Sequence, residues 1–120
     1  MTFQFLTHVI QLPGVLGTAI LLPDRTCFKA TGSLEREEET LHLCSFCIEN
    51  EELNVLRVQD RIHRVIQRDS RHILAVSTRV GKQTCVTVYV TSYGRLVVHF
   101  VWNPPAQSEA ILKEIEVATY

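Results

Sequence analysis

The chain has 120 residues, 46% of them hydrophobic, with twelve Lys and Arg against thirteen Asp and Glu for a net charge of −1. That length supplies one core, because domains hold roughly 100 to 150 residues and a second core would lack volume, and the apolar content excludes bulk disorder. The balanced charge excludes a global field drawing the chain to nucleic acid or to an anionic membrane, so any electrostatic function is local.

Residues 1–23 contain no charged side chain, yet Gln4, His8, Gln11, Pro13 and Gly14 cut the run into pieces shorter than the roughly 20 apolar residues of a membrane span. The start shows neither a basic n-region nor an Arg-rich amphipathic pattern, and a cytosolic protein is the expectation. Phe3, Leu6, Val9 and Ile10 predict a short N-terminal helix within 1–12, closed by Pro13-Gly14. Val15 to Leu22 and Thr26 to Thr31, joined through Pro23-Asp24-Arg25, read as a β-hairpin. Ser33 is a candidate N-cap, with Glu35, Glu37, Glu38 and Glu39 in the dipole-favoured first turns. A long central helix then carries Leu34, Leu41, Cys44, Cys47 and Ile48 on one apolar face to about Asn50.

Leu53 to Ile66 fits either state. Val55, Val58, Ile62, Val65 and Ile66 have helical spacing, which favours a helix, while Leu56-Arg57-Val58 also suits a strand. Ile73 to Thr78, Thr84 to Thr91 and Arg95 to Trp102 form an antiparallel meander, separated by Val80-Gly81-Lys82 and Ser92-Tyr93-Gly94. Asn103-Pro104-Pro105 stops the last strand, and Ile111, Leu112 and Ile115 predict a Pro-led C-terminal helix or tail within 103–120. The chain reads as a single α/β (α+β) domain spanning 1–120.

Little in this sequence suggests catalysis. It has no G-x-x-x-x-G-K-[ST], G-x-G-x-x-G or H-E-x-x-H, so neither a nucleotide cradle nor a helical zinc pair is expected, and no cofactor is implied. Cys44 and Cys47 form a C-x-x-C, but inside a helical stretch and without a second ligand pair they read as buried thiols. His8, His42, His63, His72 and His99 fall on different elements, so no metal site is expected. An enzyme with Cys44 or Cys47 as nucleophile would need a depressed thiol pKa and a nearby histidine.

Charge is segregated along the chain. Leu34 to Glu52 holds seven acids and one base, net −6, and Leu53 to Lys82 holds seven bases and two acids, net +5. On a helix, Arg57, Arg61, Arg64 and Arg68 would align as one basic stripe: either a solvated face against the Glu-rich helix or a docking patch for an acidic partner or membrane surface.

Leu12-Pro13-Gly14-Val15-Leu16-Gly17-Thr18-Ala19-Ile20, then Lys29-Ala30-Thr31-Gly32-Ser33-Leu34-Glu35, and the strand Arg95 to Val101 resemble the roadblock/longin-like family, in particular the small roadblock subunits of Ragulator. The chain departs from that pattern at Glu51 to Arg71 and in its C-terminal helix. The resemblance implies a five-stranded antiparallel sheet with flanking helices. It also implies a non-catalytic scaffold that heterodimerises with another roadblock-domain protein within a larger complex, anchoring Rag-type small GTPases for nutrient signalling to the TOR kinase. Its place would be the cytoplasmic face of the lysosomal, vacuolar or late endosomal membrane, reached through partners, with no nucleic acid bound.

The strands Thr84 to Thr91 and Arg95 to Trp102 are long and poorly gated by charge, so an uncovered edge would pair with another chain. The contact would then draw on Leu41, Cys44 and Ile48 of the central helix and Ile73, Ala75 and Val76 of the following strand, with the four arginines beside them; these apolar residues would equally fill the monomer's own core. The alternative from another class is a ligand-sensing module binding a small molecule in an apolar groove.

Overall fold

The structure is a computed structural model that describes residues 14–24, 26–44, 49–77, 83–91, 94–101 and 113. Among the described residues seven strands, β1 (Val15–Leu21), β2 (Cys27–Gly32), β3 (Val55–Val58), β4 (Arg61–Arg68), β5 (His72–Ser77), β6 (Thr84–Thr91) and β7 (Gly94–Val101), accompany a helix, α1 (Glu38–Cys44). All the strands join one antiparallel sheet in the order β2-β1-β7-β6-β5-β4-β3, curled into a half-barrel. The expected N-terminal helix, Ile48, and the expected C-terminal helix apart from Lys113 lie outside the described residues. Among the described residues no helix is long and apolar enough to cross a membrane.

The predicted hairpin is present as β1 and β2, and the predicted meander as β5 to β7. The five-stranded sheet with flanking helices is not. Leu53 to Ile66 is no helix: Val55–Val58 and Arg61–Arg68 form a hairpin in which Val58 faces Arg61 across Gln59-Asp60. The apparent helical spacing came from reading two strands through their turn. Each strand by itself alternates, with Leu56, Val58, His63 and Val65 on the inner face, and its β-branched residues suit a pleated surface. The two additional strands at this end make the sheet seven-stranded.

The predicted central helix is shorter at its start. Ser33 uses its backbone N–H on the Leu16 carbonyl (2.9 Å) and its hydroxyl on His99 (2.6 Å), so it caps no helix. Residues 33–36 instead form tight turns, with Leu34 N–H on the Thr31 carbonyl and Glu35 N–H on the Gly32 carbonyl, and α1 begins at Glu38.

The sheet is buried on both faces. Ala19, Leu21, Leu56, Val58, Ile73, Ala75, Val86, Val88 and Val97 pack beneath α1 with Leu34, Leu41 and Cys44, while Ile20, Leu74, Cys85, Leu96, Val98 and Phe100 form a second core opposite. This two-sided burial explains why β6 and β7 read as near-continuous apolar runs. It also corrects the proposed edge mechanism: β7 lies between β1 and β6, and β6 between β7 and β5, so neither has a free edge.

Candidate functional site

The β3–β4 hairpin lies at one end of the sheet and presents the chain's basic segment there. Gln59 (φ 50°) and Asp60 (φ 62°) both occupy the left-handed region, as a two-residue type I′ turn requires. Helix α1 holds this turn and the outer edge of β3. The Gln59 N–H donates to Glu37 Oε1 at 3.0 Å, and the Thr40 hydroxyl donates to the Arg57 carbonyl. With α1 bonded along it, the end strand is partly shielded from pairing with another chain.

On the hairpin's outer face the pairs Val55↔Arg64 and Arg57↔Ile62 make a checkerboard of guanidinium and β-branched side chains. Val55 and Ile62 are 42% and 41% exposed, and Ile66, at the bulge between Val65 and Gln67, is 61% exposed. Half-buried Val76 of β5, opposite Arg64, continues this face. Chemically, such a surface fits a partner that brings carboxylates and apolar groups together.

The predicted stripe of four arginines is thereby divided. Strand geometry puts Arg57 and Arg64 on the outer face, Arg61 beside Val58 on the inner one, and Arg68, after the bulge, opposite Ile73, with its guanidinium donating to the Leu53 carbonyl. Leu41, Cys44, Ile73 and Ala75, expected at a contact between chains, are buried in the core beneath α1. Among the described apolar residues expected there, Val76 alone joins the outer face. Sequence reasoning missed Val55 and Ile62 as surface residues, although strict alternation with arginine was the available signal.

Two histidines expected apart come together. His63 of β4 and His99 of β7 stand edge to face with ring centroids 5.6 Å apart. Both are buried, and desolvation drives the His63 pKa below its ordinary value and that of His99 down to about 4. Of the two cysteines considered as nucleophiles, Cys44 is buried against the sheet and Cys47 lies outside the described residues; Cys85 lies in the opposite core, with burial pushing its thiol up to about 12. Among the described residues no cluster of His, Cys, Asp and Glu has the arrangement of a metal site. A surface recess of about 650 Å³ beside α1 is lined mainly by Glu35, Glu37, Glu38, Glu39, Arg57 and Asp60, a polar lining unlike the apolar groove of the ligand-sensing alternative.

No protein-family model matches this chain, and no curated protein matches it. Solved structures that match include several profilins. LokiProfilin1, in a crystal structure of its complex with rabbit actin, superposes with a TM-score of 0.71 at 10% identity, over 99% of this chain and 96% of its own. Mouse profilin IIa in complex with a double repeat from the FH1 domain of mDia1 gives 0.61 at 11% identity, over 98% and 97%. Acanthamoeba castellanii profilin IB gives 0.58 at 16% identity, over 91% and 87%. These likenesses overturn the roadblock resemblance and, with it, the Ragulator scaffold, the roadblock heterodimer, the Rag GTPases and TOR signalling. They do not support the small-molecule alternative. At such identities the likeness is one of architecture, and the fold of this chain is the profilin fold.

Proposed function

We propose that this chain is a non-catalytic actin-binding protein of the profilin type. The observation that carries the reading is the end-to-end match to LokiProfilin1, the partner of rabbit actin in its crystal structure. The outer β3–β4 face, with Val55, Arg57, Ile62 and Arg64, is the surface we assign to that contact, because it combines exposed apolar area with fixed positive charge. A formin FH1 repeat is a second partner, on the strength of the mouse profilin IIa complex.

Titration of the purified chain into fluorescently labelled monomeric actin tests the proposal. Saturable binding is expected, weakened about tenfold or more by Arg57→Glu with Arg64→Glu, a loss of about 1.4 kcal/mol or more. Absence of binding at tens of micromolar actin would refute the actin reading. Unimpaired binding by the doubly reversed variant would remove the assignment to this face.

A further inference from the structure

His63 and His99 belong to a buried polar cluster that ties the segment ahead of α1 to the sheet. His99 Nδ1 lies 2.6 Å from Ser33 Oγ, and His63 Nε2 lies 2.6 Å from Thr84 Oγ1. His63 Nδ1 lies 3.2 Å from the Arg61 carbonyl, which can only accept, so Nδ1 carries the proton and Nε2 accepts from the Thr84 hydroxyl. His99 Nε2 is buried with no hydrogen-bond partner among the described residues. Both rings therefore sit in the core in their neutral form.

Among the described residues the surroundings offer a second proton hydroxyl and carbonyl oxygens but no carboxylate. From β4 the facing groups are His63 itself and the Arg61 guanidinium, and these two are the charged or titratable groups that bear on His99, neither a carboxylate. On β7, Arg95 shares the inner face but is paired with Glu49. From β6 the neighbours are Thr84 and Val86, from β1 Gly17, and from the segment ahead of α1 Ser33. Glu38, Glu39 and His42 of α1 are exposed.

We propose that the His63–His99 pair is an acid-sensitive latch: protonation in mildly acidic solution releases the Ser33–Cys44 segment, with α1, from the sheet. Charge on either ring meets no neutralising carboxylate among the described residues, and the segment tied to the pair through Ser33 is the part expected to yield first. The sheet's own ladders do not depend on it, since β6 and β7 are bonded to strands on both sides. What holds it is the Ser33 contact, the Leu34, Leu41 and Cys44 side chains, and the two bonds from Glu37 and Thr40 to the β3 end.

The direction follows from linkage. The opened state binds the proton at the ordinary histidine pKa of 6.5 and the closed state at about 4, so closure is full above 6.5 and is lost as the pH falls through this window. For His99 alone the closing equilibrium drops about 30-fold by pH 5.

Hydrogen exchange of the wild-type chain, corrected for the intrinsic pH dependence of exchange, tests this at pH 7.5 and pH 5. Protection of the α1 amides is expected to fall about 30-fold while the central amides of β6 and β7 keep theirs. Unchanged α1 protection, or equal losses in α1 and in the central strands, would overturn the proposal. His99→Gln should flatten the α1 response; a folded variant that keeps the wild-type pH dependence would overturn it as well. If that variant does not fold, NMR titration of the wild-type imidazoles decides, and a His99 that titrates near 6.5 in the closed state refutes the latch.

Discussion

Single residues reveal how much depends on backbone conformation that side-chain patterns do not encode. Gly32 adopts φ 60°, and a Cβ there would stand 2.2 Å from the Leu16 carbonyl oxygen. Gly32→Ala is therefore expected to cost about 3 kcal/mol in urea unfolding, combining left-handed strain with a backbone clash. Asp60 offers the opposite case, since it is exposed and sits at φ 62° where glycine is the preferred residue. Asp60→Gly should raise the unfolding free energy by about 0.5 to 1 kcal/mol. The glycine at position 32 is visible in the sequence as a break, but the close approach that demands it is not. Ser33 shows the same gap: its neighbours spell a helix cap, whereas its hydroxyl serves a histidine of the last strand. For the cysteines, alkylation at pH 7.5 followed by peptide mapping should label exposed Cys27 well before buried Cys44 and Cys85.

Among the elements, the short helix illustrates packing over propensity. Seven residues make no stable helix in isolation, and α1 persists because Leu41 and Cys44 are buried against the sheet while Glu37 and Thr40 bond to the β3 end. Leu41→Ala is expected to destabilise the protein by about 2 to 4 kcal/mol in chemical denaturation. Strands β5, β6 and β7 were legible because apolar residues run between clear turn residues. The β3–β4 hairpin was not, since Gln59-Asp60 is an unusual pair for its turn type and helical spacing bridged the gap. Because a strand alternates every two residues and a helix every 3.6, that one assignment displaced all four arginines. Read as a helix they share a stripe; as strands they divide, with Arg57 and Arg64 outside and Arg61 and Arg68 on the inner side.

At the scale of the whole molecule, the order of strands separates surface from interior. Ile62 and Ile73 look alike in the sequence, yet one is 41% exposed on the end hairpin and the other fully buried under α1. Ile62→Asp is expected to weaken actin binding about tenfold with little change in the unfolding free energy, whereas Ile73→Ala should lower that free energy by about 2 to 4 kcal/mol; the two titrations and two denaturation curves together check the assignment of that face. By itself the sequence determined a single-core amount of apolar residue, the first hairpin, the last three strands, the lack of nucleotide-binding motifs and the segregation of acidic from basic charge, all of which reside in composition or in local periodicity. Only the tertiary structure decided that β7 pairs with β1, that β6 and β7 are central rather than edge strands, that His63 meets His99, and which arginines face outward. The physical reason is that these depend on register between strands far apart in the chain, and a residue's own neighbours carry no record of its cross-strand partner.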